Sequence, residues 1–120
     1  MIKERSISAK TGINGLAVRR PKANVSLGDV TVNVQQRGLN VGIVNDALVQ
    51  TARHSLKNVM GFTGLPLVSG DFNGSSLSSI VDGSATYVQN RQVKVLSWYI
   101  NETGYSSRMI DLIKKIGALM

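Results

Sequence analysis

Side chains suited to proton transfer, metal binding or nucleophilic attack are few in this sequence and widely spaced. His54 is the single histidine, and there is no cysteine, which removes thiolate nucleophiles, thiolate zinc sites and disulfides together. A histidine base needs an acid to orient it, and a metal needs further ligands. The acid closest in sequence, Asp46, lies eight residues before His54. On a helical wheel His54 falls with Gln50 and Lys57, opposite the apolar residues, and reads as a surface group. The seven acids show no paired-carboxylate spacing. The run GFTGLPLVSG, residues 61–70, has neither the Gly–Lys–Ser/Thr ending nor the strand-to-helix setting of a phosphate loop. Asn101–Glu102–Thr103 fits a glycosylation acceptor only by chance, since no secretion signal accompanies it. The expectation is therefore a protein that is not an enzyme, with no catalytic residues, no metal, no cofactor and no small-molecule substrate.

Charge carries more information. The chain has a net charge of +7. Residues 1–23 hold Lys3, Arg5, Lys10, Arg19, Arg20 and Lys22 against the lone acid Glu4. This pattern predicts an extended basic arm over 1–23 that contacts nucleic acid or a neighbouring subunit, followed by a single α+β domain over 24–120. Only 18% of residues are charged, below the usual quarter, while Ser, Asn and Gly are abundant. Such a surface suits a protein covered by copies of itself. No apolar run reaches the ~18 residues of a membrane span, and the chain reads as soluble and unprocessed.

The elements that would position these groups follow from periodicity. Leu48, Ala52, Leu56 and Val59 form an apolar stripe at helical spacing, which predicts a central helix over about 46–60, capped by Asn45 or Asp46 and ended by Gly61. Val30, Val32 and Val34 alternate with Thr31, Asn33 and Gln35, the signature of a half-buried strand. Val25 and Leu27 suggest a shorter strand before a turn or bulge at Gly28–Asp29, and Arg37–Gly38 turns the chain into a second strand, Asn40–Val44. Asn73–Gly74 and Asp82–Gly83 read as tight turns. Gln92–Ile100 reads as strand first, with helix open because Leu96 and Ile100 are four apart. The fold expected is α+β: a small antiparallel sheet covered by the central helix, with the basic arm and a C-terminal amphipathic helix at about 106–119.

The segment Val95–Gly117 resembles a helix-turn-helix, with Gly104 at the turn and Ile110 and Ile113 where the second helix would pack. The resemblance implies that Ser107, Arg108, Asp111 and Lys115 face DNA and that Lys114 reaches the backbone. Ile100 and Thr103 depart from the motif, and Val93 and Val95 favour strand over a first helix. On the same terminal helix Met109, Leu112, Ile113, Ile116 and Leu119 lie on one side, an apolar arc wider than a small core needs, which predicts a subunit interface.

These features together point to a structural subunit of a phage or virus particle, in a capsid, decoration or tail position. It would be assembled in the host cytoplasm, resident in the virion, and partnered by copies of itself and other structural subunits, with the arm contacting nucleic acid or one of those subunits. The alternative is a small basic DNA-binding protein, cytoplasmic, using the C-terminal motif.

Overall fold

The computed structural model describes Asn14, Gly15 and residues 24–120. Its centre is the hairpin of β4 (Ser79–Gln89) and β5 (Gln92–Tyr99), closed by Asn90 and Arg91. Asn90 adopts φ 57°, a left-handed conformation that asparagine tolerates better than most residues. The eight residues of β2 (Ser26–Asn33) pair antiparallel along β5, from Ser26 opposite Tyr99 to Asn33 opposite Gln92. On the other side β3 (Met60–Thr63) runs parallel to β4. The result is a mixed four-stranded sheet, β2-β5-β4-β3, extended at the β2 edge by the two residues of β1 (Asn14–Gly15). The wholly antiparallel sheet expected from sequence is corrected by the β3–β4 pair. Its crossover passes through a loop and a 3₁₀ turn, Ser69–Phe72.

Helix α1 (Val41–Arg53) covers one face. The Asn40 side chain accepts from the Ile43 amide at 2.9 Å and so caps the helix. The helix thus begins five residues before the predicted start, and the predicted strand Asn40–Val44 is its cap and first turn. Strand propensity in Val41, Ile43 and Val44 yields to the cap and to burial of the helix against the sheet. Asn45, expected as the cap, instead donates to the Gly83 carbonyl in β4 at 3.0 Å. The helix ends at His54, and Met60 and Gly61 belong to β3 rather than to its C-terminus.

Val81 and Val93, 3% and 4% exposed, lie on the α1 side and form the centre of the core. Burying each contributes roughly 1.5–3 kcal/mol. On the opposite face Phe72 covers Trp98, and Leu77 reaches over Gly61. Gly28–Asp29 is neither turn nor bulge: the two are ladder residues opposite Ser97 and Leu96 in unbroken register. Asp82–Gly83 is likewise inside β4, at a register irregularity between Asp82 and Tyr87.

Helix α2 (Asn101–Leu119) starts directly after β5. It includes the five residues before the predicted start at 106, so Gly104 is not a turn: its amide donates to the Ile100 carbonyl at 3.1 Å. A Cβ at Gly104 would meet the Leu77 carbonyl oxygen at 3.0 Å, which explains the glycine as a close-approach position. Thr103 donates to the Ser75 carbonyl and Arg108 to the Ser78 hydroxyl. Only the first two turns of α2 are docked in this way among the described residues.

Candidate functional site

The edge where β2 begins, β5 ends and α2 begins holds the least ordinary backbone among the described residues. Val25, one residue before the Ser26–Tyr99 pair, has φ 66°. Its branched Cβ makes that conformation costly, on the order of 1–3 kcal/mol, and such strain concentrates at functional sites. The register places Val25 level with Ile100, the residue before α2. No side chain caps α2, so the amides of its first turn remain available, and the helix dipole favours an anion there. Asn101 and Glu102 are exposed on this turn. In the sequence, Arg19, Arg20 and Lys22 precede Val25 by three to six residues. Uncapped backbone amides beside a carboxamide suit binding of a small anionic group.

Other polar groups among the described residues serve the fold or stand exposed on its surface. Asp82, 9% exposed, accepts from the Ser84 amide and hydroxyl at 3.1 and 2.6 Å through Oδ1, and from Trp98 Nε1 at 3.4 Å through Oδ2. It ties the β4 irregularity to β5. Lys94 and Asp29 form an exposed pair at 2.8 Å. His54 is exposed, its Nδ1 lies 2.9 Å from the Gln50 carbonyl, and no acid orients it among the described residues. No group of three or more His, Asp or Glu able to hold a metal occurs among them.

The sequence-predicted sites fare unevenly. Lys3, Arg5, Lys10, Arg19, Arg20 and Lys22 lie outside the described residues. Met109, Leu112, Ile113, Ile116 and Leu119 are all exposed along α2, Ile113 at 64%. The helix-turn-helix is overturned, because its first helix is strand β5 and its turn lies within α2. Of the residues assigned to DNA, Ser107 donates to the Thr103 carbonyl, and Arg108 pairs with Asp111 at 2.8 Å. Lys114 and Lys115 are exposed. Sequence reasoning read Val25 only as a strand residue, since nothing in a valine signals a left-handed backbone. It noticed Asn101 only as a glycosylation acceptor; the signal available was a polar residue between a strand and an amphipathic helix.

Residues 6–101 match the family model of the glyceraldehyde 3-phosphate dehydrogenase C-terminal domain. Glyceraldehyde-3-phosphate dehydrogenase of Priestia megaterium is 44% identical over 110 residues, 91% of this chain and 32% of the relative. Glyceraldehyde-3-phosphate dehydrogenase 1 of Bacillus cereus is 48% identical over 104 residues, 86% of this chain and 31% of the relative. The chloroplastic glyceraldehyde-3-phosphate dehydrogenase B of Pisum sativum is 43% identical over 104 residues, 86% of this chain and 23% of the relative. The chain spans about a third of the length of these bacterial relatives.

These matches overturn the expectation of a virion subunit, with its virion location, its structural-subunit and nucleic-acid partners and its lack of a small-molecule substrate. They equally overturn the reading as a non-enzyme, because the relatives are named as dehydrogenases. The family match begins at residue 6, inside the stretch read as an appended arm. Residues 6–23 of that stretch are therefore covered by the family match, and Asn14–Gly15 within it pair with β2.

Proposed function

Since this chain belongs to the glyceraldehyde 3-phosphate dehydrogenase C-terminal domain family, we propose that it forms part of an enzyme oxidising the aldehyde of glyceraldehyde 3-phosphate. The observation that carries this reading is 44% identity over 91% of the chain to a protein of that name. Oxidation of an aldehyde by hydride removal requires a nucleophile to add to the carbonyl and a base to take the proton. This chain has no cysteine, and His54 has no orienting acid among the described residues. Its own contribution is accordingly to bind and orient, and the nucleophile and base belong to the remainder of the enzyme.

The substrate's phosphate fits the chemistry of the corner beside α2. Arg19, Arg20 and Lys22 supply cations immediately before β2, and guanidinium groups match phosphate oxygens through paired N–H donors. The free amides at the start of α2 add a fixed positive potential.

A chimaera tests the proposal. The matching 110 residues of the Priestia megaterium enzyme are replaced by those of this chain, and oxidation of glyceraldehyde 3-phosphate is measured. The expected turnover is within about tenfold of the parent, a barrier difference of ~1.4 kcal/mol. A folded chimaera with the parent's mass and no oxidation of this substrate overturns the reading.

A further inference from the structure

The loop that carries Phe72 onto the sheet continues as Asn73–Gly74–Ser75, and the structure assigns Asn73 as a site of spontaneous deamidation. The Gly74 backbone nitrogen, losing its proton, attacks Cγ of Asn73. A C–N bond forms, the carboxamide C–N bond breaks, and ammonia leaves a five-membered succinimide. Water then opens the ring at either carbonyl, giving aspartate or isoaspartate. One water is consumed and one ammonia released, and nothing is oxidised or reduced.

Several observations single out this position. Asn73 and Gly74 are both exposed. Gly74, at φ +78°, has no Cβ of its own and nothing within 4 Å of where one would stand, so no side chain crowds the residue from that side. Among the described residues neither the Asn73 carboxamide nor the Gly74 amide is engaged in a hydrogen bond. The bonds on either side, from the Asn73 amide to Gly70 and from the Ser75 amide to Phe72, are single turn contacts of 3.3 and 3.1 Å. Asn73 stands at φ −56°, ψ 133°, and ψ must rotate to bring the nitrogen over the carboxamide carbon, which this exposed turn permits. Asn14–Gly15 is the same dipeptide, but its backbone is paired with Thr31 and Val30. Asn58, Asn90 and Asn101 precede Val59, Arg91 and Glu102, whose side chains crowd the attacking nitrogen.

Isoaspartate routes the main chain through the former side chain and adds one carbon to the backbone. At position 73 the insertion falls between Phe72, which stacks on Trp98, and Ser75, whose carbonyl accepts from Thr103 of α2. Conversion therefore loosens the seat of α2.

The test is incubation of the folded full chain in warm, mildly alkaline buffer, followed by peptide mapping by mass and labelling with an isoaspartyl methyltransferase. The peptide containing Asn73 is expected to gain ~1 Da, the change from amide to acid, and to take the label. It should convert on the order of tenfold faster than Asn58, Asn90 or Asn101, since only glycine leaves the nitrogen unobstructed, and faster than Asn14. Asn73→Gln should abolish this signal while keeping the parent's circular dichroism. Converted chains should show faster hydrogen exchange over residues 101–108. An Asn73 that stays unchanged in the folded chain while it converts in the urea-unfolded chain overturns the assignment, as does earlier conversion at Asn14. Unchanged exchange over 101–108 in converted chains overturns the coupling to α2.

Discussion

The ring of Phe72 stacks on the indole of Trp98 with centroids 5.4 Å apart and planes 20° from parallel. The contact joins the only 3₁₀ turn among the described residues to the middle of the sheet, and so fixes the crossover between β3 and β4.

Phe72→Ala should therefore destabilise the fold by roughly 3–5 kcal/mol, the usual cost of deleting a buried phenyl ring. Urea unfolding followed by the fluorescence of Trp98, the single tryptophan, measures it. A loss below about 1 kcal/mol would show that the stack is incidental.

Asp82 lies beneath that stack and accepts from Trp98 and from Ser84. Asp82→Ala leaves those donors without their acceptor in a mostly buried place, at a cost of about 1–3 kcal/mol. Trp98→Phe removes one donor together with its need, and should cost less than Asp82→Ala in the same urea titration.

Val25→Gly relieves the left-handed strain at the mouth of β2. Against glycine's greater unfolded-state freedom, the net gain in stability is expected to be up to about 1 kcal/mol. If the strained residue positions the substrate, the same change in the chimaeric enzyme should lower kcat/KM for glyceraldehyde 3-phosphate. A variant with unchanged stability and unchanged kinetics would count against both roles.

Arg19→Ala and Arg20→Ala separate phosphate binding from general charge. In the chimaera at least one should raise KM for glyceraldehyde 3-phosphate by about tenfold or more, as loss of a charge-assisted pair implies. It should leave oxidation of unphosphorylated glyceraldehyde nearly unaltered. An equal loss on both substrates would argue for a structural role.

Gly104→Val places a branched side chain against the Leu77 carbonyl. The first turns of α2 should lift, losing the bonds from Thr103 to Ser75 and from Arg108 to Ser78. Hydrogen exchange over 101–108 should rise while that of β4 and β5 does not.

Periodicity located both helices, but their starts were obscured for different reasons. Val41, Ile43 and Val44 look like strand, and only the capping bond from Asn40 to Ile43 makes them helical. Thr103 and Gly104 look like a turn until the approach of Gly104 to Leu77 is known. The Val30–Val32 alternation was legible because β2 pairs with β5 along its whole length and so keeps the strand period of two. The candidate site was not, since Val25 and Asn101 are 76 positions apart in sequence and meet only through the β2–β5 register. The broad apolar arc of α2 is real, but greasy surface alone does not say what covers it. Taking it as the mark of a coat protein was the step that misdirected the functional reading.

Beyond Arg108 nothing on α2 hydrogen-bonds to the rest of the described chain, and eleven residues run on to Leu119. At a rise of 1.5 Å per residue they make a lever about 16 Å long, pivoting on a fulcrum of two turns. A tilt of ~5° at that fulcrum swings the tip by about 1.5 Å. A disturbance as small as one extra backbone atom near Ser75 is thus magnified at the far end, where the side chains with most surface to hide are carried.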